Sequence, residues 1–322
     1  MHHFESGFVV REPAWHGLAT VLDKAPSIDE AIRLAGLDWV VADKPIFYEL
    51  DDGGKRACES HKALVRESDG SVLGVVGKRY EALQNSVAFN FFEPLVKEGV
   101  VTLETAGSLK GGRRVWVLAK FNKEAEVLPG DSVGSYLLIS NAHDGTRAVN
   151  VIFTRIRTVC WNTLSAAERD ADRDYSPVIR VRHSKNVELG LEAIRNIIDI
   201  ENRTFNASIE QYRAMANAKL PLENIPLFVK EALPDGDASF ARWKDGAARK
   251  NNAFDSTISL AENGAGAALP GVKGTVWGAY NAFTEYVDHY IGRNEESRLD
   301  SQWFGTGKVL KNRALDVAVN YC

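Results

Sequence analysis

The apolar positions of this chain change their period near residue 185. Before that point, short alternating or continuous apolar stretches are bounded by Gly, Asp and Asn, which predicts strands joined by turns. Residues 100–109 and 113–121 flank Lys110-Gly111-Gly112. Residues 136–141 and 147–159 flank Ala142-His143-Asp144-Gly145-Thr146. These four segments predict an antiparallel meander. Further strands are expected at 39–41, 46–50, 62–66 and 72–76, the last two forming a hairpin across Asp69-Gly70. A short strand at 178–181 closes the region. Ser27-Ile28-Asp29-Glu30 is a capping box, in which hydroxyl and carboxylate each satisfy an orphan amide, and Gly36 stops the helix it starts. Residues 86–99 predict a short helix interrupted by Pro94, and residues 161–169 a helix following the meander.

Beyond residue 185 the spacing turns helical. Val187, Leu191, Ile194, Ile198, Phe205, Ile209 and Tyr212 recur three, four or seven apart, one face of a long helix or of two. A shorter helix is expected around 228–233, between prolines. Residues 235–271 are polar and contain glycines, and read as a mobile stretch. Two more helices are expected at 275–291 and 308–321. Strands followed by helices make the fold class α+β, with a sheet domain over 1–185 and a mostly helical region over 186–322.

Composition adds little to this until charge is mapped along the chain. The 322 residues are 45% hydrophobic and 25% charged, which excludes a disordered or fibrous chain. No apolar run is long enough to span a membrane, and the N-terminus does not read as a secretory signal, so a cytoplasmic location is expected. Cys58, Cys160 and Cys322 are odd in number and far apart, as suits reduced thiols. The overall net charge is −4. Residues 1–59 carry 6 basic and 11 acidic residues, 60–185 carry 18 and 14, and 186–322 carry 15 and 18. The basic surplus therefore lies in the middle.

There is no Walker motif, dinucleotide fingerprint, H-E-x-x-H, C-x-x-C or nucleophile elbow, and no histidine pair has helical metal-ligand spacing. No cofactor, metal or catalytic residue is expected. Four basic clusters stand out instead. Lys78, Arg79 and Tyr80 follow a strand, where cations grip phosphate and a ring stacks on a base. Lys110, Arg113 and Arg114 surround a glycine hairpin tip able to approach a backbone closely. Arg155 and Arg157 share one face of an apolar strand, the exposed one on this reading, where each guanidinium faces phosphate. The plainer reading pairs them with carboxylates such as Glu104. Arg182 and Lys185 complete the set. Cys160 reads as a small core residue. Trp15-His16-Gly17 reads as a packed anchor, and the aromatics Trp277, Tyr280, Phe283, Tyr286 and Tyr290 as a helix-packing face.

Pro13–Leu18, Val76–Asn85 (VGKRYEALQN), Thr105–Leu109, Arg157–Leu164 (RTVCWNTL), Gly274–Asn281 (GTVWGAYN) and Trp303-Phe304-Gly305 resemble, in order, the phage/plasmid-like protein family of uncharacterised function. Ala19 stands where many members have Gly. The resemblance implies a mobile-element origin and a cytoplasmic site of action, and supplies no catalytic residues. The element order over 100–170 is similar to that of single-strand annealing proteins of the RecT/Redβ and ERF kind, an antiparallel sheet followed by a helix, with a basic groove and ring or filament assembly. This is a fold-level analogy.

The expectation is a non-enzymatic protein that binds single-stranded DNA, or else duplex DNA, for annealing in recombination, and that forms homo-oligomers. The rival is a host-interaction or anti-defence protein that binds a host protein or small nucleotide. A third reading is a nuclease-like enzyme using scattered carboxylates.

Overall fold

The computed structural model describes residues 4–11, 19–160, 162–164, 178–184, 198–248 and 252–322. The chain is α+β, and it divides into two compact units that interleave along the sequence. The first comprises 1–122, 136–153 and 178–199, and the second 123–135, 154–177 and 200–322. A single cut at residue 185, the division expected from charge and periodicity, does not separate them, because three long strands each pass from one unit into the other.

The first unit starts with β1 (Phe4–Val10) and β2 (Thr20–Leu22), a parallel pair. Helix α1 (Ile28–Leu34) begins at the expected capping box, with both reciprocal bonds formed, and ends before Gly36 at φ +62°. A three-stranded antiparallel sheet follows: β3 (Val41–Glu49), β4 (Lys55–Arg66) and β5 (Val72–Gly77). The two strands expected at 39–50 are one continuous strand. Val41, Leu64, Leu73 and Val76 form this sheet's core. The helix expected over 86–99 is two short ones, α2 (Asn85–Asn90) and α3 (Glu93–Lys97). Pro94 falls in the first turn of α3, where a missing N–H costs nothing.

The meander is the main sheet: β6 (Val101–Leu109), β7 (Arg114–Leu128), β8 (Asp131–Ala142) and β9 (Val149–Arg157). In the first unit it continues through β1 and β2, which pack beside β6. The hairpin register sets Leu109 opposite Arg114, so Lys110–Arg113 form the loop. Lys110, Gly111 and Gly112 all have positive φ. A Cβ on Gly112 would collide with the Arg66 guanidinium, so only glycine fits there.

In the second unit β10 (Thr163–Leu164) pairs with the end of β9, where a helix over 161–169 was expected. The remainder of that expected helix lies outside the described residues. β11 (Val178–Val181) runs antiparallel to β9 in the first unit. Among the described residues, the α-helices of the second unit are α4 (Ile198–Asn217), α5 (Ile225–Ala232), α6 (Gly236–Lys244), α7 (Ala253–Asn263), α8 (Val276–Glu285), α9 (Glu295–Phe304) and α10 (Thr306–Asn320), and the residues before Ile198 in the long helix expected from Val187 lie outside the described ones. The stretch 235–271, expected to be mobile, carries α6 and α7. Asn252 caps α7 through Phe254 and Asp255 N–H, and the Phe240, Trp243 and Phe254 rings pack together. The core gathers Phe205, Ile209 and Tyr212 of α4 with Phe228 of α5 and Trp277, Tyr280 and Phe283 of α8, the packing face expected of the aromatics. Tyr286 is partly buried, whereas Tyr290 is exposed. No described helix is long and apolar enough to cross a membrane.

Candidate nucleic-acid interface

The basic clusters separate into two environments. Arg155 and Arg157, expected on an exposed strand face, are fully buried in the second unit. Nearly every residue of β8 and β9 is buried, so neither strand has a free face there, and a guanidinium placed inside must be paired. Arg157 makes a two-pronged bond to Asp131, Nε to Oδ1 at 2.6 Å and Nη2 to Oδ2 at 2.7 Å. It also donates to the carbonyls of Ala265 (3.2 Å) and Gly266 (3.3 Å). Trp277 Nε1 donates to the same Asp131 at 2.9 Å, and its ring lies beneath the guanidinium. Arg155 donates to Glu201 (3.2 Å), Ser135 (3.2 Å) and Thr204 (3.1 Å). The carboxylate partners are thus Asp131 and Glu201. Glu104, the partner named on the plainer sequence reading, pairs with Arg11.

A second buried polar group pins β10 to the helices. Asp288 accepts from Thr163 N–H and O–H, both at 2.9 Å, and from Lys311 Nζ at 2.7 Å. Asn162 accepts from His289 and donates to the Asn281 carbonyl. Arg157, Asn162 and Thr163 of one motif and Trp277 and Asn281 of the other therefore meet as interior scaffold. Cys160 lies among them, and burial pushes its thiol up to about 12, which keeps it protonated and unreactive at neutral pH.

In the first unit the remaining clusters come together around the β8–β9 turn. Lys78, Arg79, Arg113 and Arg182 are exposed, and Lys110 and Arg114 are partly buried. Tyr80 stacks on His183, with ring centres 4.3 Å apart, and its hydroxyl donates to the Ala142 carbonyl at 3.0 Å. His183 Nδ1 donates to the Glu81 carbonyl at 3.0 Å. These bonds lay the segment carrying Lys78 and Arg79 beside the segment carrying Arg182. One residue past Ala142, the His143 N–H donates to the Arg113 carbonyl at 2.8 Å, which brings in the hairpin. Tyr80 is thus a positioning ring more than a free stacking platform. Burial, with the Asp144 charge, holds its phenol protonated above the ordinary range. Lys185 and Trp15-His16-Gly17 lie outside the described residues.

Behind this surface the hairpin is locked by a residue absent from the sequence candidates. Arg66 donates to both Glu5 carboxylate oxygens and to the Gly111 carbonyl (2.9 Å), and stacks over Trp39. His143 is fully buried: Nε2 donates to Asn85 Oδ1 at 3.0 Å, and Nδ1 accepts from Asn141 at 3.4 Å. Burial drives its pKa down to about 3, so it is a neutral structural group. The hydrogen-bonding types around residues 141–143 were visible in the sequence, but nothing there marked Arg66 or Asn85 as their supports. Among the described residues, no group of histidines, cysteines and carboxylates could hold a metal ion.

No curated protein and no solved structure matches this chain. The family model that matches covers residues 72–303, and the chain accordingly belongs to DUF932, a domain of unknown function.

Proposed function

We propose that this is a non-enzymatic nucleic-acid-binding protein of a mobile element, which holds single-stranded DNA on the exposed cations of the first unit during annealing. Lys78, Arg79, Arg113 and Arg182 grip the phosphates, with Lys110 and Arg114 beside them. Arg155 and Arg157 form no part of the binding surface. The observation that carries the reading is the Tyr80–His183 stack together with the Arg113–His143 bond, which gather three separate basic segments around one turn. Exposed cations on rigid backbone suit a sequence-independent grip on phosphates.

The test is a salt titration of binding to labelled oligo(dT). The parent binds with a steep salt dependence. Replacing Lys78, Arg79, Arg113 and Arg182 by Ala lowers affinity and flattens the slope by about 0.7 for each phosphate that is no longer neutralised. A parent that fails to bind at low salt overturns the reading, as does a quadruple variant that binds like the parent at every salt.

A further inference from the structure

The β3–β4 hairpin extends beyond the sheet to which it belongs. β5 pairs with β4 only from His61 to Val65, whereas β3 and β4 continue as a two-stranded ribbon through Phe47–Ala57, Tyr48–Arg56 and Glu49–Lys55. Successive residues on a strand point to opposite faces. Phe47 is 57% exposed and Tyr48 is 47% exposed, so the ribbon is bare on both faces. Two adjacent rings in water on an unsupported ribbon are costly, and such ribbons are marginal alone.

The charge on the ribbon points to what covers it. Lys55 stands opposite Glu49 in the register, while Asp51 and Asp52, at the turn, stand opposite no cation in that register. Arg56 stands opposite Tyr48, and over residues 49–56 the three carboxylates outnumber the two cations by one, with Asp51 and Asp52 gathered at the turn. β5 presents the converse. Val72 and Val75, exposed at 53% and 58%, are followed by exposed Lys78 and Arg79. The pairings of Val72 with Val65 and Val75 with Ala63 complete an apolar strip on this face. One surface reads apolar then acidic, the other apolar then basic, and both occur on every copy. Pro45 and the Lys62–Asp43 pair blunt the β3 edge nearer the sheet, which leaves the ribbon end as the point of docking.

We propose that the ribbon end of one copy docks on the outer face of β5, and on Lys78 and Arg79, of a second copy. The interface is heterologous, so it propagates from copy to copy. Because the two rings point to opposite faces, one of them meets β5 and buries about 150–250 Å², well below the standard interface, so association is weak and concentration-dependent. On the nucleic-acid reading above, DNA and the ribbon claim the same two cations, and binding a strand releases the ribbon.

Sedimentation velocity of the full chain at low salt tests this. The parent associates with rising concentration. Phe47→Ser with Tyr48→Ser, or Asp51→Lys with Asp52→Lys, or Lys78→Asp with Arg79→Asp, each raises the concentration needed about tenfold. Combining the two charge reversals in one chain restores association, which a merely misfolded variant cannot do. A parent that stays monomeric through the micromolar range overturns the proposal, and so does a combined reversal that stays as weak as either alone. Oligo(dT) added to the parent separates the two readings. Dissociation supports the shared cations. Association that oligo(dT) neither binds nor disturbs leaves the docking standing and overturns the nucleic-acid reading.

Discussion

His143 shows how a single side chain carries information that its type alone does not. A histidine in a turn beside aspartate reads as exposed and titratable, yet here it is a neutral hydrogen-bond relay between Asn85 and Asn141. Its pKa, about 3 against an ordinary 6.5, is set first by burial, then by His183 and Arg66, with Asp144 opposing them. The unfolded chain takes up a proton below pH 6.5 that the folded chain refuses until near pH 3. Stability from this group is therefore complete above 6.5 and drains as pH falls through that window, by about 1.4 kcal/mol per pH unit. Urea melts of the parent and of His143→Gln across pH 4 to 7 measure it. The gap between the two narrows as pH drops, because only the parent pays the proton penalty. At this scale the sequence spoke clearly where a residue acts on its own chain neighbours. Ser27 and Glu30 cap the helix as their spacing predicts. It was silent where partners come from afar, since nothing near Arg157 indicates Asp131 and Trp277.

At the scale of elements, alternation located the four meander strands and the hairpin turns, because period and turn chemistry are local properties. What it could not supply was the number of covered faces. A strand with one solvated face and a strand with none differ in what packs on them, and that packing comes from distant segments, 46 residues away for Glu201 on Arg155 and 109 for Gly266 on Arg157. The arginines of β9 were assigned to solvent for this reason. Their burial carries a definite expectation. Arg157→Ala leaves Asp131 charged and buried without its guanidinium, which destabilises by about 3–5 kcal/mol. Arg155→Ala, stranding Glu201, acts in the same direction. Thermal melts should show both variants falling well below the parent, whereas Lys78→Ala with Arg79→Ala melts within a degree or so of it, as exposed positions do. Equal melting of all three would show that the strand interior is not as described. The polar stretch 235–271 misled in the opposite sense. Its rings at Phe240, Trp243 and Phe254 are few but sequentially close enough to pack, and a low apolar fraction hid two helices.

At the scale of the whole molecule, the order in which the chain is made matters. The bonds that hold the interior of the second unit link residues 146 apart, as Trp277 to Asp131, and 148 apart, as Lys311 to Thr163. Pairings this distant in sequence close large loops late and slow the search for the native state. During synthesis β8, β9 and β10 emerge long before Trp277 of α8 and Lys311 of α10 can bond to Asp131 and Thr163. The native bond of Trp277 to Asp131 is expected to be unformed at the folding barrier. In stopped-flow experiments Trp277→Phe, which removes the indole donor to Asp131, should speed unfolding by most of its equilibrium cost and leave the refolding rate nearly unchanged. A refolding rate that drops in proportion to the fall in stability would place that pairing in the nucleus instead. Arrest of the chain short of residue 277 would present a sheet not yet covered by α8 and α10, and the newborn protein would depend on holding chaperones until those helices have left the ribosome.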